Sequence, residues 1–253
     1  MDAARRRELQ RRADRLRLRA VRMVAPHGFG YLGQALSSAE VMAVLSAGAY
    51  RPGVDELVIS PGHYVIVAYA VGAEMGLLSD DELATYGQDG SHLEAIGTET
   101  SPFVDVTGGS LGQGLSSGVG LALAARLHGR SDTTVFVLLS DGELEEGQVW
   151  EAAMFAAHQG LGNLVVLLDA NDSQVDGPVS SITTIEPIGE KWRASAGWST
   201  TSTDTTWRQS TRRSASPSRP SVRASSSRAR RRPTGSSACP RAPTGTSSRS
   251  RPS

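Results

Sequence analysis

The stretch Thr134–Asp172, "TVFVLLSDGELEEGQVWEAAMFAAHQGLGNLVVLLDAND", carries the clearest structural pattern in the chain. It opens on an apolar run, Val135 to Leu139, and closes on another, Leu164 to Leu168. Neither run alternates with polar residues, as expected of strands covered on both sheet faces. Between them, Glu145–Gln159 reads as a helix. Strand, helix and strand in this order predict a right-handed βαβ unit with parallel strands.

The rest of the chain extends that pattern. Residues 3–24 read as a helix. Ser37 to Ala47 reads as another, with Ser37 or Ser38 as its N-cap and Glu40 in its first turn. "ELVIS" is a short strand, followed by the turn "PGH" and a helix from about Tyr64 to Met75. "SDDEL" opens a further helix with acidic residues at its N-terminus. "GGSLGQGLSSGVGLALAARL" is a glycine-rich loop passing into an apolar helix that ends near His128. No internal repeat is evident. The fold class is α/β, a three-layer domain with a mainly parallel sheet.

The 253 residues suffice for one large domain or two small ones. Their formal charge sums to zero, but it is split. Through Ala194 there are 14 basic and 25 acidic residues, a net of −11. From Ser195 on, 12 arginines face one acid, Asp204, a net of +11. Two compositions meet there, so residues 1–194 read as the folded domain and 195–253 as a tail. Cys239 is the single cysteine, which excludes an intrachain disulfide and a cysteine metal cluster. No apolar stretch could span a bilayer, and no membrane association is expected. The arginines from Arg5 to Arg22 are not followed by a signal-peptide core. Glu8, Asp14 and interspersed leucines fit an exposed amphipathic helix better than a targeting segment. A cytoplasmic protein is expected.

Parallel strands place their C-terminal ends on one sheet edge, where α/β proteins bind ligands. Asp141 leaves the first strand there and Asn171 the second. With a backbone carbonyl at Ser173, they form a hard-oxygen set suited to Mg²⁺ or Ca²⁺ and poor for zinc. Gly142 would let a phosphate approach the backbone without a Cβ clash. The helix beginning near Glu145 directs free N–H groups toward the same edge. Taken singly, Asp-Gly and Asn-Asp after a strand are ordinary turns. Their pairing across one βαβ unit, beside a glycine-rich loop, favours a binding site.

"SDGELEEGQVWEAAMFAAHQGLGNLVVLLDANDSQVDG" closely resembles the thiamine-diphosphate motif of the transketolase family. "TGGSLGQGLSSGVGLALAARL" resembles the family's loop that touches the cofactor diphosphate, and "ELVISPGHYVIVAYA" its strand and "SKGHA" turn. "GYLGQALSSAEVMAVL" resembles "GHPGGSLSAAE". The likeness is strongest to the N-terminal half of split transketolases. It implies Asp141, Asn171 and the Ser173 carbonyl as Mg²⁺ ligands. It implies Gly109, Ser110, Leu111, Gly142, Asn171 and His63 as thiamine diphosphate contacts, with His63 also catalytic. Glu146 matches a glutamate at the dimer interface near the cofactor. Glu143 and Glu145 are then read as helix-start charges that favour the macrodipole.

Two positions depart from the family. Tyr31 stands where the family has the His of "GHPG", and Ile96 where it has the His of "GHP". The resemblance implies that both face the substrate, a sugar phosphate or a related small molecule. His27 and His92 lie nearby in sequence and are candidate substitutes, with a solvated loop histidine as the plainer reading. His128 and His158 sit near helix C-termini. The family's cofactor-activating glutamate belongs to a second domain, so the chain is expected to need a second transketolase subunit, in a dimer or heterotetramer. Thiamine diphosphate carries the carbanion chemistry, and protein supplies orientation and proton transfer. A 1-deoxyxylulose-5-phosphate synthase relative and a truncated, non-catalytic binding chain are the alternative readings. "KWRA" and the short spacing favour the split transketolases.

The tail has no Leu, Ile, Met, Phe or Tyr, and Val222 is its only valine. Such a composition is expected to be disordered. It also reads as G/C-rich codons out of register. If each codon takes the last base of its predecessor, "ASAGWSTTSTDTTW" becomes A-F-G-W-V-V-D-D-V-D-G-H-D-V, where the family has "AFGW" and "DGHD". The same shift turns "SSSRAR" into V-V-V-A-R-T. The competing reading is a basic arm contacting phosphates through Arg230, Arg231 and Arg232. No aromatic stacking pattern accompanies it, and specific nucleic-acid binding is not expected.

Overall fold

The structure, a computed structural model, describes residues 2–102 and 104–196. They fall within one compact unit. The expected disorder of the tail therefore lies outside the described residues.

The chain begins with α1 (Ala3–Val24), whose first turn is capped by Asp2 accepting from the Arg5 N–H. Two short helices follow, α2 (Leu32–Ser37) and α3 (Ala39–Val44), and then a π turn at Leu45–Ala49. The helix expected from Ser37 to Ala47 thus starts earlier, is interrupted at Ser38, and unwinds where Gly48 takes φ 101°. Ser37 and Ser38 do not cap it. Both hydroxyls turn back to the Gln34 carbonyl, and that of Ser37 also reaches Asp169.

Next come β1 (Glu56–Ile59), a 3-10 turn at Gly62–Tyr64, α4 (Val65–Glu74) and α5 (Asp80–Leu83). Ser79 and Glu82 form a reciprocal capping box at α5. A two-residue strand, β2 (Val106–Thr107), leads through the glycine-rich loop into α6 (Gln113–Leu127). Then β3 (Val135–Ser140), a 3-10 turn at Gly142–Glu145, α7 (Gly147–Gln159) and β4 (Leu164–Asp169) complete the expected βαβ unit. Two further helices, α8 (Val179–Ile182) and α9 (Ile188–Ala196), end the described chain.

The four strands are parallel, in the order β2-β1-β3-β4. Alternate strand residues feed two separate apolar layers, as the pleat requires. Leu57, Ile59, Phe136 and Leu138 pack with α1, α3 and α4 on one face. Val58, Val135, Val137 and Leu139 pack with α6 and α7 on the other. The fold is the expected three-layer α/β arrangement. Residues Val65 to Gly72 of α4 are all buried, so this helix is central. In α1 only Leu9, Ala13, Leu16, Ala20, Met23 and Val24 face inward. Its outer arginines reach Glu74 at the end of α4, which lies 2.5 Å from Arg15 and 2.8 Å from Arg19.

One strand departs from expectation. Every residue of β3 is buried, but Leu164 to Leu168 of β4 are only half-buried. Among the described residues β4 is an edge strand, so one side of it lacks a neighbour.

Candidate functional site

Register brings the strand ends together. Ser140 lies opposite Asp169, and the Asp141 N–H donates to the Asp169 carbonyl. On the other side of β3, the Ser60 N–H donates to the Leu138 carbonyl. Ser60, Asp141, Asp169 and the start of the glycine-rich loop thus share the C-terminal edge, where α/β ligand sites form.

Asp141 is buried, at 2% exposure. Its two oxygens accept from the Gly142 N–H (3.0 Å) and the Asp172 N–H (2.6 Å). The second bond depends on Asp172 adopting φ 55°, a left-handed conformation unusual for a non-glycine residue. The Asp172 carboxylate in turn accepts from Ser180 N–H and Oγ at α8, which holds the loop in place. Asn171 sits beside it. Its Oδ1 accepts from the Ser173 N–H at 2.9 Å, while its Nδ2 donates to Asp169, Ser37 and, at 3.4 Å, Tyr64. The residues expected to hold a cation are therefore adjacent, with Ser173 exposed next to them. A cavity of about 290 Å³ opens beside Asp141, lined also by Ala170, Asp172, Ser180 and Ile185.

Glu143 is a correction to the sequence reading. It is fully buried and bonded to other segments, where the sequence suggested only a helix-start charge. It lies in the 3-10 turn before α7 and accepts from Ser60 Oγ (2.5 Å), the Gly112 N–H (2.8 Å) and the Ser140 N–H (3.0 Å). Glu145 is exposed and accepts from Gln174, and Glu146 is the exposed N-cap of α7 with no side-chain cap bond. The helix starts at Gly147, two residues later than expected.

The glycine-rich loop packs against the turn after β1 with no room for side chains. A Cβ on Gly108 would lie 2.0 Å from the Ser60 carbonyl oxygen, and one on Gly114 would lie 2.5 Å from Ser60 Cα. Gly109, by contrast, has nothing within 4 Å of a built Cβ, and Ser110 and Leu111 are exposed beside it. The expected contact segment is therefore an open backbone surface on a tightly seated base.

His63 is half-buried, and its ring lies 5.2 Å from both Tyr31 and Tyr64. Burial pushes its pKa below the ordinary histidine value, favouring neutral imidazole. Ile96 packs over Gly62, whose carbonyl accepts from the Gly97 N–H. Tyr31 and Ile96, 41% and 45% exposed, thus both lie at the Gly62–His63 turn. His27 lies against Phe29 and Tyr86 instead. His92 lines a separate cavity of about 560 Å³ with Glu82, Gln88 and Thr100. His128 is the C-cap of α6, and His158 lies in the last turn of α7.

Burial raises the pKa of all three carboxyl groups at this edge, Asp141, Glu143 and Asp169. Backbone or hydroxyl donors oppose that rise in each case. No Lys or Arg forms a salt bridge with any of them among the described residues. Burial, reinforced by the Asp169 charge, also raises the pKa of Tyr64, which stays a neutral phenol. Buried acid without a basic partner gives the edge a negative potential that a cation would relieve. Among the described residues no group of three His, Cys, Asp or Glu side chains forms a cage for such an ion. The set at Asp141 and Asn171 is of a different kind, with one carboxylate, one amide and backbone. That composition suits Mg²⁺, which takes few protein ligands and completes its shell with phosphate and water.

Comparison with known proteins gives the family. Residues 9–219 match the family described as "Transketolase, thiamine diphosphate binding domain". The chain belongs to the transketolase family. It is 44% identical over 199 residues to the transketolase family protein y4mO of Sinorhizobium fredii, covering 75% of this chain and 71% of that one. It is 36% identical over 206 residues to the 6-deoxy-6-sulfo-D-fructose transketolase subunit SqwG of a Clostridium species, covering 78% and 74%. Among solved structures, transketolase from Campylobacter jejuni superposes with TM-score 0.68 at 28% identity, covering 78% of this chain but 33% of its own. Leishmania mexicana transketolase gives 0.69 at 31% identity, covering 74% and 31%. The chain thus spans about a third of these solved transketolases. The family match also runs past Ala194 to residue 219.

Asp169, Ser60 and Tyr64 were not singled out by sequence, and Glu143 was read only as a helix-start charge. Asp169 ends an apolar run, where a buried carboxylate has no distinguishing pattern. Ser60 reads as the tail of "ELVIS", and its partner Glu143 lies 83 residues away.

Proposed function

We propose that this chain is the cofactor-diphosphate-binding subunit of a split, Mg²⁺-dependent transketolase-like enzyme that transfers a two-carbon ketol unit. One observation carries this reading. Asp141 and Asn171, at the ends of adjacent parallel strands, have their side-chain oxygens positioned by the N–H groups of Asp172 and Ser173. These oxygens and the Ser173 carbonyl would hold Mg²⁺. Gly142 and the open backbone of Gly109, Ser110 and Leu111 would take the diphosphate. His63, neutral and half-buried, would contact the cofactor and hold or pass a proton at its ring nitrogen. Thiamine diphosphate, when bound, supplies the electron sink for carbon–carbon bond cleavage. Glu146, exposed before α7, suits a subunit interface.

The likeness to a protein named as a transketolase subunit, of which the chain covers 74%, supports a split enzyme. A second subunit would supply the activating glutamate, giving a dimer or heterotetramer. The substrate class is a sugar phosphate or similar anionic ketose, as in the relative named for sulfofructose. Tyr31 and Ile96 would meet it beside His63. The test is calorimetric titration of thiamine diphosphate into the full chain, with and without Mg²⁺. Mg²⁺-dependent binding is expected; binding indifferent to Mg²⁺ would refute the reading.

A further inference from the structure

Asn171 has an amide that could point either way, and its neighbours leave one choice. Asp169 Oδ2 is 3.0 Å from Nδ2, and a carboxylate oxygen of this kind only accepts. The Ser173 N–H is 2.9 Å from Oδ1 and only donates. A flipped amide would set oxygen against oxygen on one side and N–H against N–H on the other. Two more donors converge on the same Asp169 oxygen, the Ser37 hydroxyl at 2.5 Å and the Tyr64 hydroxyl at 3.1 Å. With three donors on it, Oδ2 remains an acceptor whatever happens at Oδ1. The carboxylate is 6% exposed, so water does not replace these bonds.

We propose that Asp169 is a positioning residue for the cation site: it grips the Asn171 Nδ2 and so directs Oδ1 outward to the ion. This rests on the reading of Asn171 as a Mg²⁺ ligand. Asp169 itself points to the other side of the amide and does not bind the ion. Ser37 and Tyr64 hold Asp169 in turn, linking the end of α2 and the turn after β1 to the metal-binding loop. Outer-shell partners of this sort commonly alter metal affinity by about 10- to 100-fold when removed.

The test titrates Mg²⁺ into the full chain at fixed thiamine diphosphate, following heat and thermal midpoint. Asp169→Leu should raise the Mg²⁺ concentration needed by about 10- to 100-fold. Saturating Mg²⁺ should then recover normal thiamine diphosphate affinity, which a general structural defect would not allow. A swap covers the case in which Asp169→Leu fails to fold. Asn171→Asp alone places a second carboxylate against Asp169 and should weaken Mg²⁺ binding despite adding charge. Adding Asp169→Asn restores a donor–acceptor pair, because the Ser37 and Tyr64 hydroxyls can accept as well as donate. The double variant should recover most of the affinity. Unchanged Mg²⁺ affinity in folded Asp169→Leu, or a swap no better than Asn171→Asp, would overturn the proposal. Wild-type chain that binds thiamine diphosphate without Mg²⁺ would remove the metal reading itself, and this inference with it.

Discussion

The Glu143 carboxylate lies 2.5 Å from the Ser60 hydroxyl, two residues 83 positions apart in the chain. Ser60 Oγ also accepts from the Gly114 N–H, so its own proton must point to Glu143. Glu143 Oε1 takes a second bond from Gly112, and Oε2 takes one from Ser140. One buried side chain thereby ties the end of β1, the end of β3 and the start of α6 together. The proposed diphosphate loop is seated by this contact.

Every direct partner of Glu143 donates to it. Glu143→Gln must turn an NH₂ group toward one of them, leaving a buried donor unmatched. The expected loss is about 1–3 kcal/mol of folding stability. Glu143→Ala should lose at least as much, because three donors are then stranded. Denaturant midpoints check this, with the slope used to confirm an unchanged unfolding reaction. A Glu143→Gln midpoint equal to wild type would show that the clamp contributes nothing.

The proposed cation ligands give a sharper test. Asp141→Ala and Asn171→Ala should each abolish Mg²⁺-dependent thiamine diphosphate binding in a complex completed by the partner subunit. Wild-type affinity in either variant, measured by calorimetry, would remove that residue from the site.

Tyr31 lies against the His63 ring and Ile96 against the Gly62 turn, and both are proposed to face the substrate in place of histidines. Neither an isoleucine nor a tyrosine at neutral pH can shuttle protons as imidazole does. Poor ketol transfer from xylulose 5-phosphate is expected once the partner subunit is supplied. Turnover on the order of 10 per second, an ordinary enzyme rate, would contradict a changed substrate.

Glu74 supplies a prediction far from the site. Burial alone would raise its pKa, but Arg15, Arg19 and Arg12 lower it on balance. A carboxylate with a lowered folded pKa stabilises the fold above its unfolded pKa, and that contribution is lost as pH falls through the folded value. Glu74→Gln should therefore be less stable than wild type by about 2 kcal/mol at pH 7, the scale of hydrogen bonds to charged groups. The gap should begin to narrow near pH 4.3, the ordinary glutamate value, and close at lower pH. Chemical unfolding at several pH values measures it. A constant gap across that range would assign the effect to shape, not charge.

What sequence could show followed from periodicity and local chemistry. The apolar runs at Val135 and Leu164 announced the βαβ unit, and register then carried Asp141 and Asn171 to one edge. The start of α5 was visible as "SDDEL" because its acidic N-terminus is local in sequence. Contacts between distant segments were not legible. Nothing near Glu143 in sequence distinguishes it from Glu145, yet one is buried and the other exposed. Their difference comes from Ser60 and Gly112, which only the folded chain brings to that turn. Ser37 misled for the same reason, since its hydroxyl serves Asp169 instead of a helix end. β2 was missed because two residues carry no measurable alternation.

The last prediction concerns residues 195–253, most of which lie outside the described residues. Their composition, rich in Arg, Ser, Thr and Pro, reads as out-of-frame sequence that has not been selected to pack. If so, trypsin should remove them quickly at their arginines, and their amides should exchange freely. Among the described residues β4 lies at an edge of the sheet, with Leu164 to Leu168 half-buried. An unpaired apolar edge strand promotes association, so weak solubility or aggregation is expected for the chain as written. Inserting one base near the Ala194 codon should restore the "DGHD" segment and raise soluble yield. Limited proteolysis and soluble expression of the two forms, side by side, decide the matter. A tail that resists trypsin, or a restored frame that folds no better, would defeat the frameshift reading.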